Sequence, residues 1–180
     1  MPNNTHYSTG ALLLIASLLG FPAFAASPES VYTELTPAKC KLVKEDVEYQ
    51  AEKCPGLAGY SLLSIYSDQR QSITVVSPQG KEHPLNYWEV ITPAMSHLGE
   101  KAEWRVVKEG GKILPKALIV RVTTAPHLQT EKKASYLAVA KIGPEEICVT
   151  DRIEPGPQAN EKARQAADVS AAKPCLKAQP

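Results

Sequence analysis

The chain has four cysteines, Cys40, Cys54, Cys148 and Cys175, and their spacing limits the chemistry they can perform. A cysteine can act as a nucleophile, a metal ligand or half of a disulfide, and each role needs particular neighbours. A redox-active dithiol needs Cys-x-x-Cys, whereas Cys54 is followed by Pro-Gly-Leu. No histidine lies within a few residues of any cysteine, so the spacing does not match a zinc site either.

An apolar run near the start of the chain indicates the compartment. Residues 11–24, ALLLIASLLGFPAF, carry no charge and lead into Ala23-Phe24-Ala25, a small-x-small pattern typical of signal peptidase sites. We therefore predict a signal peptide over residues 1–25 and a periplasmic or secreted protein. The run is shorter than the roughly twenty apolar residues of a spanning helix, so we expect no permanent membrane anchor.

An even number of cysteines in an oxidising compartment predicts two disulfides. Of the three possible pairings, we favour Cys40 with Cys54 and Cys148 with Cys175, because each closes a short local loop. The alternative is an enzyme whose site is assembled from distant residues, such as a reactive cysteine or a histidine with acids on separate strands. The histidines available to such a site in the exported part are His83, His97 and His127.

The other polar residues favour a protein without catalysis. No Gly-rich phosphate loop, Gly-x-Ser-x-Gly elbow or His-Glu-x-x-His helix occurs. The paired acids Glu45-Asp46 and Glu145-Glu146 fall in or beside predicted turns, where a carboxylate is solvated and unsuited to acid/base catalysis. We therefore predict no catalytic residue, cofactor or metal. The 20 basic and 19 acidic residues are mixed along the chain, which argues against a nucleic-acid partner.

Two tryptophans have both a structural and a functional interpretation. Trp88 and Trp104 are expected to pack in a core, because aromatic side chains dominate core burial. The functional hypothesis makes Tyr87 and Trp88 an exposed contact surface for a partner, since they lie in a segment bounded by Pro84 and Pro93.

Residues 26–180 are predicted to form a single disulfide-stapled α+β domain. Short β patterns separated by turn residues indicate an antiparallel meander of short strands. The predicted strands are 30–35, 40–43, 47–53, 59–66, 71–76, 102–107, 117–124, 135–142 and 146–153, with an irregular excursion over 81–99. The alanine-rich segment 157–172 lacks internal Gly and predicts a C-terminal helix packed on one face of the sheet.

Several residue groups together resemble a group of small secreted bacterial proteins of unknown function. They are Val31-Tyr32-Thr33 with Leu35, Cys40, Cys54-Pro55-Gly56 followed by Gly59-Tyr60, Glu103-Trp104-Arg105, and Ala163-Arg164-Gln165 with Ala167-Asp168 before Cys175. The resemblance implies export and a disulfide pattern, and its motifs are structural. Our leading hypothesis is a small exported non-enzymatic protein that binds another component of the cell envelope, with inhibition of a secreted hydrolase as one form of it.

Overall fold

The computed structural model of the protein describes Met1, residues 27–125 and residues 133–178. The predicted signal peptide, apart from Met1, and His127 lie outside these residues. Ten strands and two α-helices are present in the described ranges. They are β1 Glu29–Glu34, β2 Lys41–Asp46, β3 Tyr49–Cys54, β4 Ser61–Ser67, β5 Arg70–Val76, β6 Glu82–Pro84, α1 Tyr87–Val90, β7 Ser96–Glu109, β8 Lys112–Thr124, β9 Ser135–Ile142, β10 Ile147–Ile153 and α2 Ala159–Asp168.

The strands form one sheet that curves into a half-barrel, in the order β10-β9-β8-β7-β5-β4-β3-β2. The predicted meander is wrong in this respect, because two strands leave the sequential order and one contact is parallel. β1 pairs with β7, β6 pairs with β5, and Arg70 of β5 lies beside Ser96 of β7 in parallel orientation. The α+β class itself is confirmed, with a mixed sheet of ten strands.

Parts of the predicted meander are confirmed, because several strands that are consecutive in the sequence pair as hairpins. β2 pairs with β3, and β4 pairs with β5. β7 and β8 are joined at Gly110 and Gly111, which have φ values of 56° and 76°. Positive φ at both central residues is the requirement of the tight hairpin turn that matches strand twist, and glycine meets it without strain.

The sheet buries a large apolar cluster on its inner face and a smaller one on its outer face. The inner cluster includes Leu62, Trp104 and Val120, and each of these side chains is fully buried. On the outer face, Ala163 and Ala167 of α2 lie against a cluster contributed by β8 and β9. Small side chains allow the helix to approach the sheet closely, so the alanine stripe determines where α2 packs.

The C-terminal helix is confirmed but shorter than predicted. α2 covers Ala159–Asp168, and a separate 3₁₀ turn follows over Ser170–Ala172. Pro157 precedes the helix instead of occupying its first turn, because Gln158 adopts a left-handed conformation at φ 62°. No helix of the described ranges is long and apolar enough to cross a membrane.

Candidate functional site

The four cysteines form the two predicted disulfides, Cys40 with Cys54 and Cys148 with Cys175. None of the four sulfurs is a free thiol, so a cysteine nucleophile is excluded as long as both bridges are intact. The first bridge ties the segment before β2 to the end of β3. The second holds the chain end against β10, where the Leu176 amide donates to the Val149 carbonyl at 2.8 Å.

Removing the second disulfide is expected to destabilise the protein by about 3.5 kcal/mol, because its 27-residue separation constrains the unfolded chain. The test is denaturant unfolding of the Cys148→Ser/Cys175→Ser variant. The Cys40→Ser/Cys54→Ser variant is the comparison, with an expected loss of about 3 kcal/mol for its 14-residue separation. Unchanged midpoints in both variants would contradict the assignment of these bridges as structural staples.

One group of possible metal ligands occurs among the described residues, and it is not a metal site. A carboxylate oxygen of Glu146 lies within 4.8 Å of the sulfurs of Cys148 and Cys175. Both sulfurs are bonded to each other, so neither offers the thiolate that a metal requires. The Glu146 carboxylate is instead paired with Lys141 at 2.6 Å.

The structure separates the two residues of the predicted partner contact. Tyr87 is 1 % exposed and belongs to the inner core, whereas Trp88 is half-buried. The prediction of an exposed Tyr87 therefore needs correction: the helical turn of α1 directs its side chain inward. The Tyr87 hydroxyl has no hydrogen-bond partner among the described residues, and burial raises the pKa of this phenol well above its usual range. Trp88 alone remains available as a contact residue.

Charged residues of β7 and α2 meet on the outer face of the sheet, next to β1. Arg105 donates two hydrogen bonds to the Asp168 carboxylate, at 2.7 and 2.9 Å, and a further one to the Ser30 hydroxyl at 2.6 Å. Arg164 of α2 donates to Glu103 at 2.6 Å. These charged side chains are partnered within the protein, so they fasten α2 to the outer face and leave little capacity for a ligand.

Strand β7 makes contacts on both of its faces. The pKa of Arg164 is raised above its ordinary value, first by its hydrogen bond to Glu103 and then by its hydrogen bond to Tyr32. On the opposite face of β7, the Trp104 ring nitrogen donates to the Thr33 hydroxyl at 2.9 Å. The centroids of the Trp104 and Tyr60 rings are 6.1 Å apart. Tyr60 in turn lines a surface cleft.

That cleft has a volume of about 420 Å³. Its walls come from the loop before β4, the turn between β5 and β6, and the turn between β9 and β10. The lining residues are Tyr60, Ser77, Pro78, Gln79, Lys81, His83, Gly143, Pro144 and Ile147. We refer to it as the basic cleft, because Lys81 and His83 are basic and no acid is among the described residues that line it.

The backbone around the basic cleft is held by short-range hydrogen bonds. The Lys81 amide donates to the Ser77 hydroxyl at 3.2 Å, and the Ser77 amide donates to the Lys81 carbonyl at 2.9 Å. On the opposite wall, the Gly143 amide donates to the Glu146 carbonyl at 3.1 Å. Both walls of the cleft are therefore turns whose backbone is closed by hydrogen bonds.

The pKa of His83 is lowered, first because burial disfavours its charged form and second because Lys81 repels that charge. The protonated imidazole of His83 is therefore less favoured in the free protein than that of an unperturbed histidine. An anion in the cleft would favour the protonated imidazole and would bind together with a proton.

Sequence reasoning did not single out Tyr60, Lys81 and His83 as one site. The sequence offers His83 only as one of three histidines available to a site assembled from distant residues, and His97 lies apart from it, exposed on β7. The only local indication in the sequence is the prolines of the segment after β5, Pro78 and Pro84. They predict an irregular segment but not which residues it contacts. No family model, curated protein or solved structure matched this chain.

Proposed function

We propose that this protein is an exported, non-enzymatic binding protein of the bacterial periplasm or exterior. In this proposal it recognises an anionic group of another envelope component through the basic cleft. The observation that carries the proposal is that Lys81 and His83 line one cavity of about 420 Å³, and no acid is among the described residues that line it. Two disulfides are consistent with an oxidising compartment, which supports export.

The chemistry of the lining supports binding more than turnover. Lys81 supplies a positive charge, and the hydroxyls of Tyr60 and Ser77 with the amide of Gln79 supply hydrogen-bond donors. A histidine acting as a general base usually needs a carboxylate to orient and stabilise it. No carboxylate lines the cleft among the described residues, so His83 is better suited to respond to an anion than to activate a nucleophile.

The proposal predicts that anion binding strengthens as the pH falls. Sulfate is a suitable probe because it stays dianionic between pH 8 and pH 5. The pKa of His83 is lowered in the free protein, and a bound anion would raise it. The affinity for sulfate should therefore increase as the pH falls and His83 takes up a proton. Isothermal titration of the full exported chain with sodium sulfate across this pH range measures the effect.

Matched variants make the test specific to the cleft. Lys81→Gln should weaken sulfate binding about tenfold, and His83→Gln should remove most of the pH dependence. Lys101→Gln removes a charge of the same kind from an exposed position on β7 and should leave binding unchanged. Equal loss in Lys101→Gln and Lys81→Gln would show nonspecific attraction and would contradict the proposal.

A further inference from the structure

The inner face of the sheet changes from apolar to polar along β3, β4 and β5. Strand pairing places Cys54, Leu62 and Val75 in one row across the three strands, and all three are buried in the inner core. Two residues further along each strand the row is Glu52, Ser64 and Ile73, and the next row is Gln50, Tyr66 and Gln71. The same face therefore carries a core at one end and a set of polar side chains at the other.

The polar side chains of these two rows line a groove that is separate from the basic cleft. The groove has a volume of about 200 Å³ and is lined by Pro37, Gln50, Glu52, Ser64, Tyr66 and Gln71. Tyr66 is 40 % exposed, whereas Ser64 at the bottom is 6 % exposed. An aromatic ring thus stands at the opening, and polar groups lie below it.

Protein contacts use only part of the hydrogen-bonding capacity in this groove. The Leu98 amide donates to Gln71 Oε1 at 2.8 Å, which orients that side chain and leaves its Nε2 as a donor. Gln50 Nε2 donates to Glu52 Oε1 at 3.3 Å, so the second carboxylate oxygen remains an acceptor. Within the described residues, no side-chain hydrogen bond engages the Tyr66 hydroxyl.

We propose that this groove binds one ring of a neutral saccharide. A sugar ring has an apolar C–H face that fits against an aromatic ring, and a rim of hydroxyls that both donate and accept hydrogen bonds. Tyr66 provides the aromatic surface, the Glu52 carboxylate accepts, and the Gln50 and Gln71 amides do both. Among the described residues no Lys, Arg or His lines the groove, so none of them would select an anionic ligand, in contrast to the basic cleft.

The composition of the groove also argues against an apolar peptide as the ligand. In the part of the chain that the structure describes, no Leu, Ile, Val or Met lines the groove to form a pocket for an apolar side chain. Planar amide and carboxylate groups around an exposed tyrosine instead match a ligand with many hydroxyls. The inference concerns residues on β3, β4 and β5 and does not depend on the basic cleft.

The test is titration of the full exported chain with cellotetraose, maltotetraose and tetra-N-acetylchitotetraose, followed by NMR or calorimetry. We expect at least one of them to bind at millimolar concentration or below. Tyr66→Ala should weaken that binding about tenfold or more, whereas Tyr66→Phe keeps the aromatic face and should stay within about threefold. Glu52→Gln should also weaken binding, because it replaces an acceptor with a donor.

Tyr49→Ala is the matched control, because Tyr49 lies on the opposite face of β3, where Lys44 contacts its ring. Its binding should equal that of the unmodified protein, and thermal unfolding of every variant checks that the fold is intact. Failure of all three oligosaccharides to bind would overturn the proposal. Binding that survives Tyr66→Ala, or displacement of the sugar by an extended polar peptide with higher affinity, would overturn it as well.

Discussion

Replacing Trp104 with alanine is expected to lower the free energy of unfolding by about 4 kcal/mol. Trp104 is 0 % exposed and lies in the inner core on β7, which has other strands on both sides. Alanine at this position would leave a cavity that the surrounding strands cannot fill. The substitution also leaves the Thr33 hydroxyl without its donor and removes the contact with the Tyr60 ring. Urea unfolding followed by circular dichroism measures the loss.

Trp88→Ala provides the control for this experiment. Trp88 is half-buried in the short helix α1, so its replacement should cost clearly less than that of Trp104. A similar loss in both variants would contradict the assignment of Trp104 to the core. If Trp104→Ala does not fold, Trp104→Phe retains most of the buried ring and should unfold at an intermediate denaturant concentration.

Arg105→Met is expected to destabilise the protein by about 2 kcal/mol, since it removes the charged hydrogen bonds that a buried guanidinium makes to a partly exposed carboxylate. The Arg105 side chain is 10 % exposed and its guanidinium serves Asp168, Ser30 and the Pro28 carbonyl. Methionine fills similar space but leaves these acceptors unsatisfied, and the contact between α2 and β7 weakens. Thermal and urea unfolding of the variant measure the effect.

A double-mutant cycle with Asp168→Asn separates this pair from the general cost of changing a buried residue. We expect a coupling energy of about 2 kcal/mol between positions 105 and 168. Lys108 and Glu29 form a comparable but exposed pair between β7 and β1, at 2.7 Å, and Lys108→Ala should change stability by less than about 1 kcal/mol. If the effects of Arg105→Met and Asp168→Asn on the free energy of unfolding are additive, the hydrogen bonds to Asp168 do not stabilise α2 on the sheet.

The basic cleft and the polar groove have different relations to the sequence. In the groove, Ser64 and Tyr66 are two residues apart on β4, so their side chains lie on the same face of the sheet. The register with β3 and β5 decides which face that is, and it was not evident from β4 alone. In the basic cleft, Tyr60 and Pro144 meet across a gap of more than eighty residues, and no local pattern predicts such a contact.

Some strand boundaries were missed because of residues that usually interrupt strands. β8 was predicted to begin after Pro115, yet it begins at Lys112. Pro115 lies opposite Val106, where the pairing with β7 shifts its register. A proline is tolerated at such an irregularity because the missing amide hydrogen is not needed there. β7 likewise begins at Ser96, before a second register shift that follows Leu98.

The sequence by itself determined the features that depend on neighbours along the chain. Two disulfides between near cysteines, hairpins with short turns and an alanine-rich helix follow from loop length, backbone preference and side-chain size. Only the tertiary structure decided that β1 pairs with β7, that Tyr87 points into the core, and that Lys81 and His83 line one cavity with Tyr60. These outcomes depend on how a curved sheet brings distant strands together, because burial in the shared core, and not local preference, selects among the possible strand orders.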